Sequence, residues 1–392
     1  MYHGLFFADL HIGAMEHSYT YDTLENIRGI LEEYKKENPI DFIIVGGDLF
    51  DKQLYANDLD TEIAIKIMVL FILSADVVRF INGTSSHDAE QYRLLHPFEE
   101  LNHKFKELDF NARIINTVEE EELLPGLEVL YIPEEYIYDQ GAYYKKYFKK
   151  KYDYVFGHGM IYEAFKGKIE KSKKNNDRMK AAVFNSSDLA KLVRGKVYFG
   201  HYHVHVEMNE GKVCYVGSFN RWQFGEEEDK GYYRIFCDPA ERKYTDQFIV
   251  NEKALKYVTL SYGYKDSVFA SAEDMEIEAK KITKIKLKHE IDFLRVIFNI
   301  PVGYENPEGL ISFFRNYFKN NQGVSLEFNN GYVEEKKIQR KTSVKKLPEE
   351  YRVILDKNVP EEEKIRLFLK LTRNKDKDPA KIKKYLDKIT SN

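Results

Sequence analysis

Residues 42–51 read Phe42-Ile43-Ile44-Val45-Gly46-Gly47-Asp48-Leu49-Phe50-Asp51. Four consecutive apolar residues, three of them β-branched, predict a short strand buried on both faces. Two glycines end it and let the backbone approach its surroundings closely, and carboxylates follow at Asp48 and Asp51. The same order recurs outward from this point. Leu5-Phe6-Phe7-Ala8 runs into Asp9-Leu10-His11, and Val77 to Ile81 runs toward Gly83-Thr84-Ser85-Ser86-His87-Asp88. Later, apolar runs lead into Gly157-His158-Gly159 and, after Val197-Tyr198-Phe199, into Gly200-His201-Tyr202-His203. Between the first strands, Asp22 to Lys36 and Asp58 to Ser74 carry helical periodicity. Strands alternating with helices predict an α/β sheet whose site gathers beyond the carboxyl ends of the strands.

The 392 residues hold 60 Lys and Arg against 64 Asp and Glu, for a net charge of −4. With 43% hydrophobic and 32% charged residues, this is the balance of a globular protein with room for two or three domains. Ten Pro and 22 Gly exclude a linker-dominated chain. The two cysteines, Cys214 and Cys237, leave no disulfide framework and no thiolate zinc site. They point to a reducing compartment. The longest apolar run, Ile67 to Leu73, is far below the roughly 20 residues that span a bilayer, so no membrane insertion is expected. The start of the chain does not read as a signal peptide.

Residues 1–250 form the first expected domain, closing with short strands at Val204 to Val206 and Val213 to Val216. These two are joined through Asn209-Glu210-Gly211, a hairpin signature. Residues 251–330 predict a small α+β domain with strands at Tyr257 to Leu260, Lys284 to Leu287 and Phe293 to Ile300, and a helix from Pro307 to Lys319. Residues 331–392 predict a polar linker and two Pro-initiated helices, Pro360 to Thr372 and Pro379 to Thr390. That tail carries 18 Lys and Arg against 11 Asp and Glu, or +7, on a body of −11.

The five strand-end segments carry the chemistry. In extended backbone, residues i and i+2 project to one side, so Asp9 converges with His11 and His201 with His203. Asp and His donors without thiolate suit Mn(II), Fe(II) or Zn(II). A shared carboxylate can hold two such ions roughly 3.5–4 Å apart, with a hydroxide between them to attack phosphorus. A lone His at a strand end is more often structural, and His205 reads as strand pairing or surface. The ordered set of five segments is what carries weight.

That set resembles the calcineurin-like metallophosphoesterases, whose pattern runs D-x-H, G-D-x-x-D, G-N-H-D/E, G-H and G-H-x-H. The likeness spans residues 1 to about 235. It is closer to the DNA-repair branch, the SbcD-type nuclease subunits and phage recombination endonucleases, through Gly47 to Asp51, Tyr215 to Ser218, Arg221, Gly225-Glu226-Glu227 and Lys230-Gly231. The resemblance implies a four-layer α-β-β-α sandwich with a small α+β capping domain and a C-terminal helical tail. It implies Asp9, His11, Asp48 and His203 as ligands of a first metal, with Asp48 bridging to a second held by His158 and His201. The metals would be divalent, Mn(II) first among them. His87 would stabilise the transition state or protonate the leaving oxygen, Asp88 would orient His87, and Asp51 would support the bridge. One departure stands out: no Asn precedes His87. Ser86, Thr84 or a backbone carbonyl could substitute, and a weaker second metal site is the expectation.

The resemblance further implies a DNA exonuclease or endonuclease subunit of an SMC-like ATPase–nuclease complex in DNA end processing, recombination and repair. The ATPase would dock on the C-terminal helices, since no G-x-x-x-x-G-K-[ST] loop occurs in this chain. A homodimer is expected through helices of the first domain. So is a cytoplasmic place in a bacterial cell, with the chain cellular or phage-encoded. The segment Lys166 to Lys180, with seven basic residues against two acids, offers Lys168, Lys171, Lys173, Lys174 and Arg178 as DNA contacts. Tyr143 to Lys151 interleaves aromatics and lysines but reads first as an amphipathic helix. Two alternatives stand beside the nuclease: a metal-binding scaffold with little catalysis, and a small-molecule phosphodiesterase of the same fold.

Overall fold

The apolar runs form strands where the pattern places them. In the computed structural model, β1 (Tyr2–Phe7), α1 (His17–Lys35), β2 (Phe42–Val45), α2 (Leu59–Ile72), β3 (Val77–Ile81) and the short α3 (Ser85–Asp88) come first. Next are β4 (Asn111–Ile115), β5 (Glu119–Leu124), β6 (Leu127–Ile132), β7 (Tyr136–Ile137) and α4 (Gln140–Lys145). β8 (Tyr154–His158), β9 (Met160–Ile161), β10 (Lys180–Ala181), β11 (Val183–Phe184) and α5 (Ser186–Lys191) lead to β12 (Val197–Gly200). The hairpin of β13 (Val206–Met208) and β14 (Val213–Tyr215) precedes the long pair β15 (Gly231–Asp238) and β16 (Lys243–Val250). The structure describes residues 1–55, 57–88, 91, 111–165 and 180–330. The basic segment with Lys168, Lys171, Lys173, Lys174 and Arg178, and the tail from 331 to 392, lie outside them.

Two six-stranded sheets stack face to face. One runs β16-β15-β1-β2-β3-β4 and the other β13-β14-β12-β8-β6-β5. Successive side chains point to opposite faces and both faces are covered, which is why Leu5–Phe7 of β1 and all of β2 are apolar. Leu5 and Phe7 face the layer of α1 and α2, packing with Leu24, Ile27, Ile67 and Phe71. Phe6, Phe42 and Ile44 face the other way, into the space between the sheets. There Phe6 and Phe156 stack with ring centres 5.6 Å apart, and Phe156 stacks on Tyr198 at 5.7 Å. The outer face of the second sheet buries Val155, Val197 and Phe199 against Leu189, Leu192 and Phe184. The result is the four-layer α-β-β-α sandwich that the sequence implied.

β4, β5 and β6 were not legible in the sequence. The run Glu119 to Glu122 looks like a solvated charge cluster, yet β5 is an edge strand paired antiparallel with β6. Its acids are answered by Arg79, buried with its Nη2 2.6 Å from Glu121, by Arg113 and by Lys150. The hairpin forms with its first strand at Val206–Met208 rather than Val204 to Val206. Glu210 and Gly211 take positive φ, 56° and 81°, as the two central residues of a type I′ turn demand, and the Lys212 amide closes the turn on the Asn209 carbonyl.

The chain divides into two compact units between Tyr257 and Val258. The second contains the sheet β17-β18-β19, built from β17 (Tyr257–Tyr262), β18 (Phe293–Ile300) and β19 (Val324–Asn330), with α6 (Ala272–Lys288) and α7 (Pro307–Phe318). Its core joins Ala279 and Ile282 of α6 to Val296, Phe298, Leu310 and Phe314. One sequence prediction is overturned here. Lys284 to Leu287 is the end of α6 and no strand. The alternation Lys-Ile-Lys-Leu mimics period 2, but Met275, Ala279, Ile282 and Ile285 follow helical spacing onto this core. Ser271 caps the helix by accepting from the Asp274 amide, and Leu287 is left exposed.

Phe156 is the ring at the centre of the inter-sheet stack. Phe156→Ala is expected to destabilise the first unit by about 3–5 kcal/mol, read as a lowered urea midpoint in near-ultraviolet circular dichroism. A loss under about 1 kcal/mol would show that this core does not hold the sheets together.

Candidate metal centre

The site forms where carboxyl ends of the two stacked sheets meet. Beyond β1 and β2 the chain keeps pairing: the amides of Asp9, His11 and Ile12 donate to the carbonyls of Gly47, Asp48 and Leu49. These bonds hold Asp9, His11 and Asp48 at φ of 51°, 45° and 47°, with His201 at 92°. Such backbone costs of order 1–3 kcal/mol per residue and persists where surroundings over-determine it. The Asp9 carboxylate crosses to the other sheet and accepts the His201 amide at 2.9 and 3.2 Å. Gly47, at φ +88°, has no room for a side chain, since a Cβ there would fall 2.2 Å from the His158 ring.

Two groups of donors result. Asp9, His11 and His203 place ligand atoms within 4.8 Å of one another, and so do Asp48, His158 and His201. Asp48 stands between them, its Oδ2 3.9 Å from His11 Nε2 and 3.3 Å from His158 Nε2. Two histidines have their outer nitrogens hydrogen-bonded, and a third has a carboxylate beside its own. His158 Nδ1 donates to the Gly46 carbonyl at 2.8 Å, His203 Nδ1 faces Glu226 at 3.1 Å, and His11 Nδ1 lies 3.3 Å from Asp51. A hydrogen on each Nδ1 leaves the Nε2 lone pairs pointing inward, the tautomer a metal needs. The Nε2 atoms of His11 and His203 face each other at 3.0 Å.

The electrostatics agree with the geometry. Burial opposes charge on Asp48, but the imidazoles of His158 and His11 outweigh it and hold the carboxyl far below its usual range. Burial likewise opposes charge on Glu226, where His203 and Lys230 win and hold the carboxyl down at about 2. Burial and the Asp48 charge push Asp88 up to about 7.

The third motif takes a shape of its own. Gly83 sits against Asp48, and Thr84 donates its amide to Asp48 Oδ1 at 2.6 Å. The Thr84 hydroxyl lies 3.1 Å from Asp48 Oδ2 and 3.4 Å from both His158 Nε2 and His201 Nδ1. Ser86 is exposed on α3. The His87 ring packs edge-on to His11 at 5.0 Å and joins His11 and Asp51 as a third donor group. Its Nδ1 is buried with no hydrogen-bond partner among the described residues. Asp88 is fully buried and accepts the amides of Phe50 and Gly83. It ties the third motif to the second. His205 stacks on Phe248 and meets the Tyr233 hydroxyl, away from the donors.

Two residues at the site went unnoticed in the sequence. Glu226 lay inside a quoted motif without a role. Glu134 follows β6, a strand not predicted, and its buried Oε2 lies 3.1 Å from His201 Nδ1 and 3.8 Å from His158 Nε2. The clue was its position, a carboxylate just past an apolar run, as at Asp9 and Asp48. Burial opposes its charge, yet the two imidazoles keep its carboxyl below the usual range. The buried oxygen and imidazole donors fit a pair of divalent ions sharing Asp48.

A stacked α/β sandwich with paired Asp and His groups at its strand ends is the frame of a metal-dependent hydrolase. The calcineurin-like phosphoesterase family matches residues 4–251, and the chain belongs to that family. No curated protein matches the chain. Among solved structures 29 chains match. One crystal structure is 12% identical over 63% of this chain and 98% of its own, with a TM-score of 0.33.

Gly47→Ala tests the cradle. The added methyl must displace His158, so divalent ion bound per chain should fall from two to one in equilibrium dialysis. The strained φ adds about 1–3 kcal/mol of destabilisation. Unchanged stoichiometry would show that His158 does not depend on this approach.

Proposed function

We propose that this chain is the nuclease subunit of an SMC-like ATPase–nuclease complex, a metal-dependent DNA exonuclease and endonuclease acting on DNA ends in recombination and repair. The observation that carries the hydrolytic part is the pair of donor groups sharing Asp48 with His87 beside them. The DNA part rests on sequence likeness to the SbcD-type branch around Gly47 to Asp51 and Tyr215 to Lys230, and on the second unit that follows. The basic segment 166–180 is the proposed DNA contact. The tail is the proposed dock for the ATPase, a homodimer is the proposed assembly, and the cytoplasm of a bacterial cell is the proposed place of action.

Two divalent ions, Mn(II) in this reading, would supply charge to the phosphoryl oxygens and lower the pKa of water. Asp9, His11, Asp48 and His203 would hold one, and Asp48, His158 and His201 the other. The chain's own groups do the rest. The Gly46 carbonyl and Glu226 fix the His158 and His203 imidazoles in the ligand tautomer, and Asp51 lies beside His11 Nδ1. Asp88 pins the loop carrying His87 through the Phe50 and Gly83 amides. His87, partly exposed beside the first donor group, is placed to hold a proton for the leaving oxygen, the role of a general acid.

End-labelled duplex and single-stranded DNA with Mn(II) test this reading. The chain, alone or with its ATPase, should cleave DNA, and His87→Ala should slow cleavage by about 10²–10⁴. Hydrolysis of small phosphodiesters without DNA cleavage would favour a small-molecule enzyme, and no hydrolysis at all a scaffold. Removing residues after about 340 should abolish ATPase binding and spare hydrolysis of a generic phosphodiester. Loss of both would refute a separable docking tail.

A further inference from the structure

We propose that Glu134 is a direct ligand of the second metal, supplying through Oε2 the oxygen that the chain lacks where its third motif has no Asn. The inference rests on the family's two-metal chemistry and is independent of whether DNA is the substrate.

Ligand atoms held about 2.1 Å from one ion lie roughly 3.0–3.4 Å from each other at right or tetrahedral angles. Two pairs around the second position match that spacing and a third comes near it. Asp48 Oδ2 and His158 Nε2 are 3.3 Å apart, Glu134 Oε2 and His201 Nδ1 3.1 Å, and Glu134 Oε2 and His158 Nε2 3.8 Å. The Thr84 hydroxyl meets Asp48, His158 and His201 as above, and Glu134 Oε2 at 3.3 Å. One point bordered by two carboxylate oxygens, two imidazole nitrogens and a hydroxyl is a cation's surroundings.

Glu134 is built to face that point. Its other oxygen, Oε1, accepts from the Tyr136 hydroxyl at 2.9 Å, which turns Oε2 inward. Its amide donates to the Asn82 carbonyl at 3.1 Å, tying the end of β6 to the third motif. The side chain is 2% exposed. A glutamate this deep is rare unless paired or bound to a cation. Replacing a carboxamide oxygen by a carboxylate adds a negative charge to the second position. That reverses the expectation from the missing Asn, since an anionic oxygen holds a hard divalent ion more tightly.

The rival role is positioning, in which Glu134 only orients His201 through Nδ1 and never touches the ion. Mn(II) titration calorimetry on the full chain separates the two. Glu134→Ala should keep one ion at unchanged affinity, the control for folding and for the first site. The second ion should weaken by more than about 100-fold, beyond the 10–100-fold that loss of an orienting partner costs. Glu134→Gln, which retains a neutral oxygen, should fall between Ala and the native chain. Anomalous scattering from Mn(II) crystals of the native protein should place Oε2 in contact with the second ion. Two tight ions in Glu134→Ala, a loss within the positioning range, or an ion out of reach of Oε2 would each overturn the assignment. DNA cleavage enters none of these readouts, so failure of the nuclease reading leaves them standing.

Discussion

Buried negative charge is the constraint on which this site depends. Asp9, Asp48, Asp88 and Glu134 are each less than a tenth exposed, and all lie around one junction between two sheets. Carboxylates out of water repel one another and lose their hydration, so each must be neutralised, hydrogen-bonded or matched by cations. The fold uses all three. Asp88 is pushed toward its protonated form while two amides hold it. Asp9 accepts an amide from the opposite sheet, and Asp48 and Glu134 face imidazoles. What those imidazoles supply as protonated partners, divalent ions can supply more strongly, and that exchange makes metal binding at such a site pH-dependent.

The same constraint explains the backbone. Four donor residues take positive φ, a conformation β-branched or bulky residues avoid. In regular strand geometry, alternate side chains would point into the sheet faces, where the aromatic core already fills the space. Turning sharply at the strand ends aims them instead across the seam between the sheets. The glycines before them serve approach rather than looseness. Gly47 leaves room for His158, and Gly83 lets Thr84 come within reach of both Asp48 oxygens.

How much of this could be read from the sequence follows from how local each signal is. Asp9, His11, Asp48, His158, His201 and His203 sit next to apolar runs or glycines that mark strand ends, so their convergence was legible before any coordinates. The pairing of strands from opposite sheets was not, because nothing local records that Asp9 bonds the His201 amide. Glu134 was hidden for a different reason. Its strand pairs with an acidic edge strand whose charges are matched by Arg79, 42 residues before Glu121, and by Arg113 on β4, so β5 did not look like a strand. Lys284 to Leu287 failed in the opposite way, a local alternation overruled by helical packing onto the second unit's core.

Because each sheet supplies part of both donor groups, the centre also reports how the sheets are stacked. His11, Asp48 and Asp51 come from the β1 and β2 ends, whereas Glu134, His158, His201 and His203 come from the β6, β8 and β12 ends. An ion shared across that seam would tie the two sheets together, and its binding energy would add to the folded state by mass action. The aromatic stack of Phe6, Phe156 and Tyr198 sets the spacing of the sheets, and with it the separation of the donors. Core packing and metal affinity are therefore one property measured in two places. The residues between the sheets are held to a geometry stricter than burial alone would ask.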